Sequence, residues 1–106
     1  MIMPKIFEYL AYIIRFYTND HLPIHVHVQI EQRESKAEFL FLENEIKILF
    51  KKIKGKEPLT LAEAREISVF LKKYIDEVID KWNRVFILNQ KVDCKKVKTK
   101  IKRLKK

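Results

Sequence analysis

The sequence predicts an α+β domain: an antiparallel meander sheet of about four to five strands, with one long C-terminal helix packed on one face and a basic tail. Three observations carry this. Before residue 54, apolar residues come in short runs, one of them with a clean period of two. After residue 58 they recur at steps of three and four. Between the two regimes lies Lys54-Gly55-Lys56-Glu57-Pro58, which holds the single glycine of the 106 residues. A sheet with one apolar face and a helix with one apolar stripe bury each other in two layers.

The elements follow in order. Lys5 to Tyr9 is a short strand, and Tyr12 to Tyr17 a stronger one, rich in aromatic and β-branched residues. Ile24 to Ile30 alternates, with Ile24, Val26, Val28 and Ile30 on one face and His25, His27 and Gln29 on the other. Pro23 suits the approach to an edge strand, or its first residue, where a missing amide does no harm. Lys36 to Leu42 and Glu45 to Phe50 are two further strands, joined by a tight turn at Glu43-Asn44, because Asn tolerates positive φ. Thr60-Leu-Ala-Glu63 has capping-box spacing. Ala64, Ile67, Leu71, Tyr74, Ile75, Val78 and Trp82 then form the stripe of one helix over about residues 60–84.

Residues 1–90 are expected to form one domain, with 91–106 as a tail that is disordered or helical on a partner. The helical alternative rests on Cys94, Val97, Ile101 and Leu104, which recur at steps of three and four. Net charge is +9 but unevenly placed: residues 91–106 carry nine Lys/Arg against Asp93 alone, which leaves a nearly neutral body. Lys95, Lys96, Lys98, Lys100, Lys102 and Arg103 are therefore candidate phosphate-binding residues, with RNA as a candidate partner. One glycine excludes a P-loop or a dinucleotide fingerprint. One cysteine excludes an intramolecular disulfide; its lysine neighbours would lower the pKa of Cys94. No apolar run is long enough to span a bilayer, and no signal-peptide pattern opens the chain, so a cytoplasmic protein is expected. Phe7, Tyr9, Tyr12, Phe16 and Tyr17 could stack on bases if exposed, but large strand aromatics belong first to a core.

All three histidines fall in Asn19-Asp-His-Leu-Pro-Ile-His-Val-His-Val28. Alternation places His25 and His27 on one polar face, about 7 Å apart along the strand. Asp20 and His21 lie in the turn leading in. Two chemistries suit this set. Exposed imidazoles titrate near neutrality, so His25, His27 and His21, supported by Asp20, could deprotonate a ribose 2′-hydroxyl and protonate the leaving oxygen without a metal or other cofactor. Alternatively His21, His25, His27 and Asp20 supply ligands for zinc or another divalent transition metal.

The run MPKIFEYLAYIIRFYTNDHLPIHVHV resembles the start of the family called domain of unknown function 4160. The resemblance rests on Met3-Pro4, two short strands, the signature Asp20-His21-x-Pro23-x-His25-x-His27 and Trp82 near the close of the helix, and spans roughly residues 3–84. Ala11 stands where a glycine is common between the first two strands, and Ile24 where a second proline is common. The resemblance implies no established activity. It implies a neighbour of the domain of unknown function 2442 family, in pairs similar to toxin–antitoxin modules. The expectation is an RNA-directed, toxin-like protein that acts through strand-borne histidines, with a non-catalytic protein-interaction module as the alternative.

Overall fold

A computed structural model describes residues 4–16 and 24–101. Its six-stranded sheet has the order β5-β4-β3-β2-β1-β6. Strands β1 (Lys5–Tyr9), β2 (Tyr12–Arg15), β3 (His25–Ile30), β4 (Arg33–Phe41) and β5 (Ile46–Lys52) form the expected antiparallel meander. The expected edge position of the histidine strand is not found, because β3 lies between β2 and β4.

The hairpins turn without glycine. Leu10, in the β1–β2 turn beside Ala11, takes φ 53°, and Glu31, in the β3–β4 turn, takes φ 55°. Both are left-handed conformations that glycine or asparagine adopts more easily. The β4–β5 turn falls at Glu43-Asn44 as expected and is closed by Leu42 N–H donating to Glu45 O at 2.8 Å. Neither turn residue uses positive φ.

One face of the sheet is packed under helices. Phe7, Tyr9, Tyr12, Ile14, Phe16, Val26, Val28, Ala37 and Phe39 meet Ile67, Phe70, Leu71, Val78 and Trp82 in one core. The single expected helix is instead α1 (Leu61–Lys73), α2 (Ile75–Trp82) and a π-helical turn (Asn83–Ile87). The break at Tyr74 is a local bend, since Tyr74 N–H still donates to Phe70 O and Val78 N–H to Tyr74 O. Tyr74 packs its ring on Phe70 and Phe7, with centroids 4.8 and 5.7 Å apart, and this contact accompanies the bend. The capping box is present: Glu63 N–H donates to Thr60 Oγ1 and Thr60 N–H to Glu63 Oε1. Arg33 at the start of β4 donates to both Glu63 oxygens, so one carboxylate starts α1 and ties it to the sheet.

The tail expectation is corrected. Lys95–Val97 is a sixth strand, β6, parallel to β1, with Phe7, Glu8 and Tyr9 facing Lys95, Lys96 and Val97. Val92, Val97 and Ile101 pack on the core, and Ile101 N–H donates to Tyr9 Oη at 2.9 Å. Of the apolar residues that a partner-folding helix would use, Val97 and Ile101 thus pack within the chain, Val97 from a strand, while Leu104 lies outside the described residues. Lys81 of α2 supports this segment by donating to the carbonyls of Ile6 and Asp93.

Candidate functional site

The site forms on β3, where the alternation read from the sequence holds. Val26 and Val28 are fully buried in the core, and His25 and His27 face the other way. Their rings lie 5.5 Å apart, centroid to centroid. The expected exposure does not hold: His25 is 3% and His27 5% exposed. Long side chains flank them in register, with Glu38 opposite His25, and Arg15 and Lys36 on either side of His27. At the start of β3 the Trp82 ring comes within 6.0 Å of the His25 ring.

Register builds a row across four strands: Arg15 of β2, His27 of β3, Lys36 of β4 and Lys51 of β5. Residues directly opposite one another share a face, so three cationic side chains and an imidazole stand in line, spanning about 14 Å at the usual strand spacing. Buried carboxylates counter them. Glu38 pairs with Lys51 at 2.9 Å and Lys36 at 3.3 Å, and these contacts, chiefly that with Lys51, hold its pKa below the usual carboxylate value. Glu34 lies 3.5 Å from His27 Nδ1 and 3.9 Å from Lys56 Nζ. Arg15 donates to the Gln29 side chain at 2.9 Å.

Burial depresses His27 to a pKa of about 4, with the neighbouring His25 acting in the same direction and the Glu34 carboxylate opposing it. At neutral pH its ring is uncharged, which departs from the near-neutral titration expected of an exposed imidazole. An imidazole backed by a carboxylate is the arrangement of a general base and its orienting group. An anion arriving beside it would favour the imidazolium.

Asp20, His21 and Pro23 lie outside the described residues, as do Tyr17, Lys102 and Arg103. Among the described residues no group of three or more His, Cys, Asp or Glu side chains is placed to hold a metal ion. The tail lysines are partly engaged within the chain. Lys95 pairs with Glu77 at 2.9 Å and lies over the Tyr74 ring, and Lys100 pairs with Glu66 at 3.5 Å. Lys96 stands opposite Glu8, and Lys98 is exposed. Phe7, Tyr9, Tyr12 and Phe16 are buried and offer no base-stacking surface. Burial pushes the Cys94 thiol up, against the lowering expected from its lysine neighbours.

Sequence reasoning missed Arg15, Lys36, Lys51, Glu34 and Glu38. The two-residue β3–β4 turn, which pairs Ile30 with Arg33 and hence His27 with Lys36, places Glu34, Lys36 and Glu38; the turn at Glu43-Asn44 then places Lys51, and Arg15 follows from the β2–β3 register, whose connection lies outside the described residues. Glu31-Gln32 carries none of the usual chemistry of such a turn.

Fold and site together define a small α+β domain that carries a histidine- and lysine-lined sheet face opposite its helices. A family described as domain of unknown function (DUF4160) matches residues 11–83, and the chain belongs to that family. No curated protein and no solved structure matches it. Among the described residues no helix is long and apolar enough to cross a membrane.

Proposed function

We propose that this protein is RNA-directed and engages the ribose–phosphate backbone across the sheet face opposite its helices. The observation that carries the reading is the row Arg15–His27–Lys36–Lys51, with Glu34 behind His27. A row of cations spaced by strand separation suits successive phosphates, and such contacts dominate nucleic-acid affinity. His25 and His27 are the acid–base pair for a metal-independent cleavage: His27 takes the proton of the 2′-hydroxyl as its oxygen bonds to phosphorus, and His25 gives a proton to the departing 5′-oxygen as the P–O5′ bond breaks, leaving a 2′,3′-cyclic phosphate. His27 accepts a proton once a phosphate beside it has raised its pKa, and His21 and Asp20 act in support. Lys96 and Lys98 add electrostatic attraction from the far edge. The family resemblance supports a toxin-like role in a two-gene module, with a small neighbouring protein as its restraint.

The test is titration of a single-stranded RNA by fluorescence anisotropy at several salt concentrations. Lys36→Gln/Lys51→Gln is expected to weaken binding and to reduce the salt slope by about 1.4, the value for two phosphate contacts. Unchanged affinity and slope would remove the binding reading. RNA turnover should be lost in His25→Ala and His27→Ala and should persist for the wild type in EDTA. Turnover that survives both substitutions would remove the acid–base roles.

A further inference from the structure

Among the described residues, the outer edge of β5 is the longest unpaired edge of the sheet, at seven residues. Its backbone polarity is fixed by the turn. Leu42 N–H bonds inward to Glu45 O, and the antiparallel register continues without a bulge. Inward and outward groups alternate, so the N–H and C=O groups of Ile46, Ile48, Phe50 and Lys52 face out. The side chains of Ile46, Ile48 and Phe50 lie half-buried on the helix side, where α1 covers them incompletely. Lys47, Leu49 and Lys51 stand on the opposite face, with Leu49 40% exposed.

An apolar edge of this length invites pairing, and its lysines select the register. Pairing of two β5 strands about Leu49 sets Lys47 against Lys51, and pairing about Lys47 sets that residue against itself. Pairing about Phe50 sets Lys52 against Ile48 on the apolar side. Pairing about Ile46 sets Glu45 against Lys47, but it also sets Ile48 against Asn44 and Leu49 against Glu43, and it leaves Phe50 beyond the paired segment. Pairing about Ile48 keeps the whole strand paired and its apolar side together: Ile48 meets Ile48, Ile46 meets Phe50, Lys47 meets Leu49, and Lys51 meets Glu45. Glu45 and Lys51 are both exposed, and the first residues of the β4–β5 turn leave Glu45 on the lysine face. Phe50 of the second copy falls beside a shallow depression lined by Phe41, Leu42, Ile46 and Lys72. Cross-strand apolar and opposite-charge pairs of this kind stabilise a sheet.

We propose that two copies of this chain dimerise through their β5 edges, antiparallel about a two-fold axis at Ile48, to form one continuous twelve-stranded sheet. Lys51 contacts Glu38 within its own chain and keeps about half of its side chain exposed, and its charge complementarity with Glu45 is what assigns the edge to a second copy.

Sedimentation equilibrium of the full chain tests this and is expected to give twice the chain mass. Glu45→Lys lies in a solvent-facing turn and should weaken association by about tenfold or more, since it replaces two attractive pairs with two repulsive ones. Adding Lys51→Glu should restore it. In a Cys94→Ser background, Ile48→Cys should cross-link to dimer on oxidation, because the paired Cα atoms would lie about 5.5 Å apart. Phe50→Cys should not, since that register separates its copies by about 13 Å. A monomer at all concentrations, or one that becomes a complex only with a different protein, would overturn the proposal. So would a dimer indifferent to Glu45→Lys, or one cross-linked at Phe50 rather than Ile48.

Discussion

His27 is where the polar face is most constrained, because its ring is buried yet can ionise. Its folded-state pKa of about 4 lies below the ordinary value of 6.5, so the unfolded chain binds the extra proton first as pH falls. Stability is therefore full above about pH 6.5 and declines toward pH 4, by up to roughly 3 kcal/mol from this residue. His27→Gln should flatten that limb of a denaturation series, and a titration of the His27 ring by NMR should stay silent near pH 6.5. A ring that titrates at 6.5 would show that the site is open to water. The sequence made the direction of this side chain legible through the Val26–Val28 alternation. It hid the burial, because Arg15, Lys36, Glu34 and Glu38, which stand beside the two rings, come from other strands.

At the scale of elements, β1 to β5 were legible from β-branched and aromatic runs, and the start of α1 from Thr60 and Glu63. The β3–β4 hairpin was not, because Glu31 takes a left-handed turn position without glycine or asparagine. Nor was the bend at Tyr74, where no proline or glycine marks it and the contact with Phe7 is made across the core. Glu63 couples element to element. The Arg33 guanidinium, followed by the Thr60 cap, holds its carboxyl down at about 2. Its contribution is present above about pH 4.5 and is lost as pH falls through 2. Thr60→Ala removes one cap bond and is expected to cost about 1 kcal/mol. Glu63→Gln also removes the ion pair to β4 and should cost more at pH 7, with the gap to wild type closing between pH 4.5 and 2. A gap independent of pH would mean that Arg33 does not pair with Glu63 in solution.

At the scale of the whole molecule, charge suggested a body with a detached cationic tail, and packing joins the two. β6 covers the β1 edge, and Val92, Val97 and Ile101 add apolar cover at that end of the core. Ile101 N–H satisfies Tyr9 Oη, while Lys95 and Lys100 turn their charge toward Glu77 and Glu66 on the helices. No local periodicity announces this, because three residues are too few to show a strand and their partner in β1 lies some ninety positions away. Deleting residues 94–106 therefore does more than remove cations. It strips Val97 and Ile101 from the core and reopens the β1 edge, an expected loss of roughly 2–4 kcal/mol for two partly buried aliphatic side chains and their backbone pairing. Lys96→Gln/Lys98→Gln removes charge while leaving those contacts, so its stability should stay within about 0.5 kcal/mol of wild type. Urea denaturation of the three chains separates the two contributions. A truncated chain as stable as the full one would mean that β6 does not dock, whereas a destabilised truncation beside an unaffected double substitution places the role of the segment in the fold as well as in its charge.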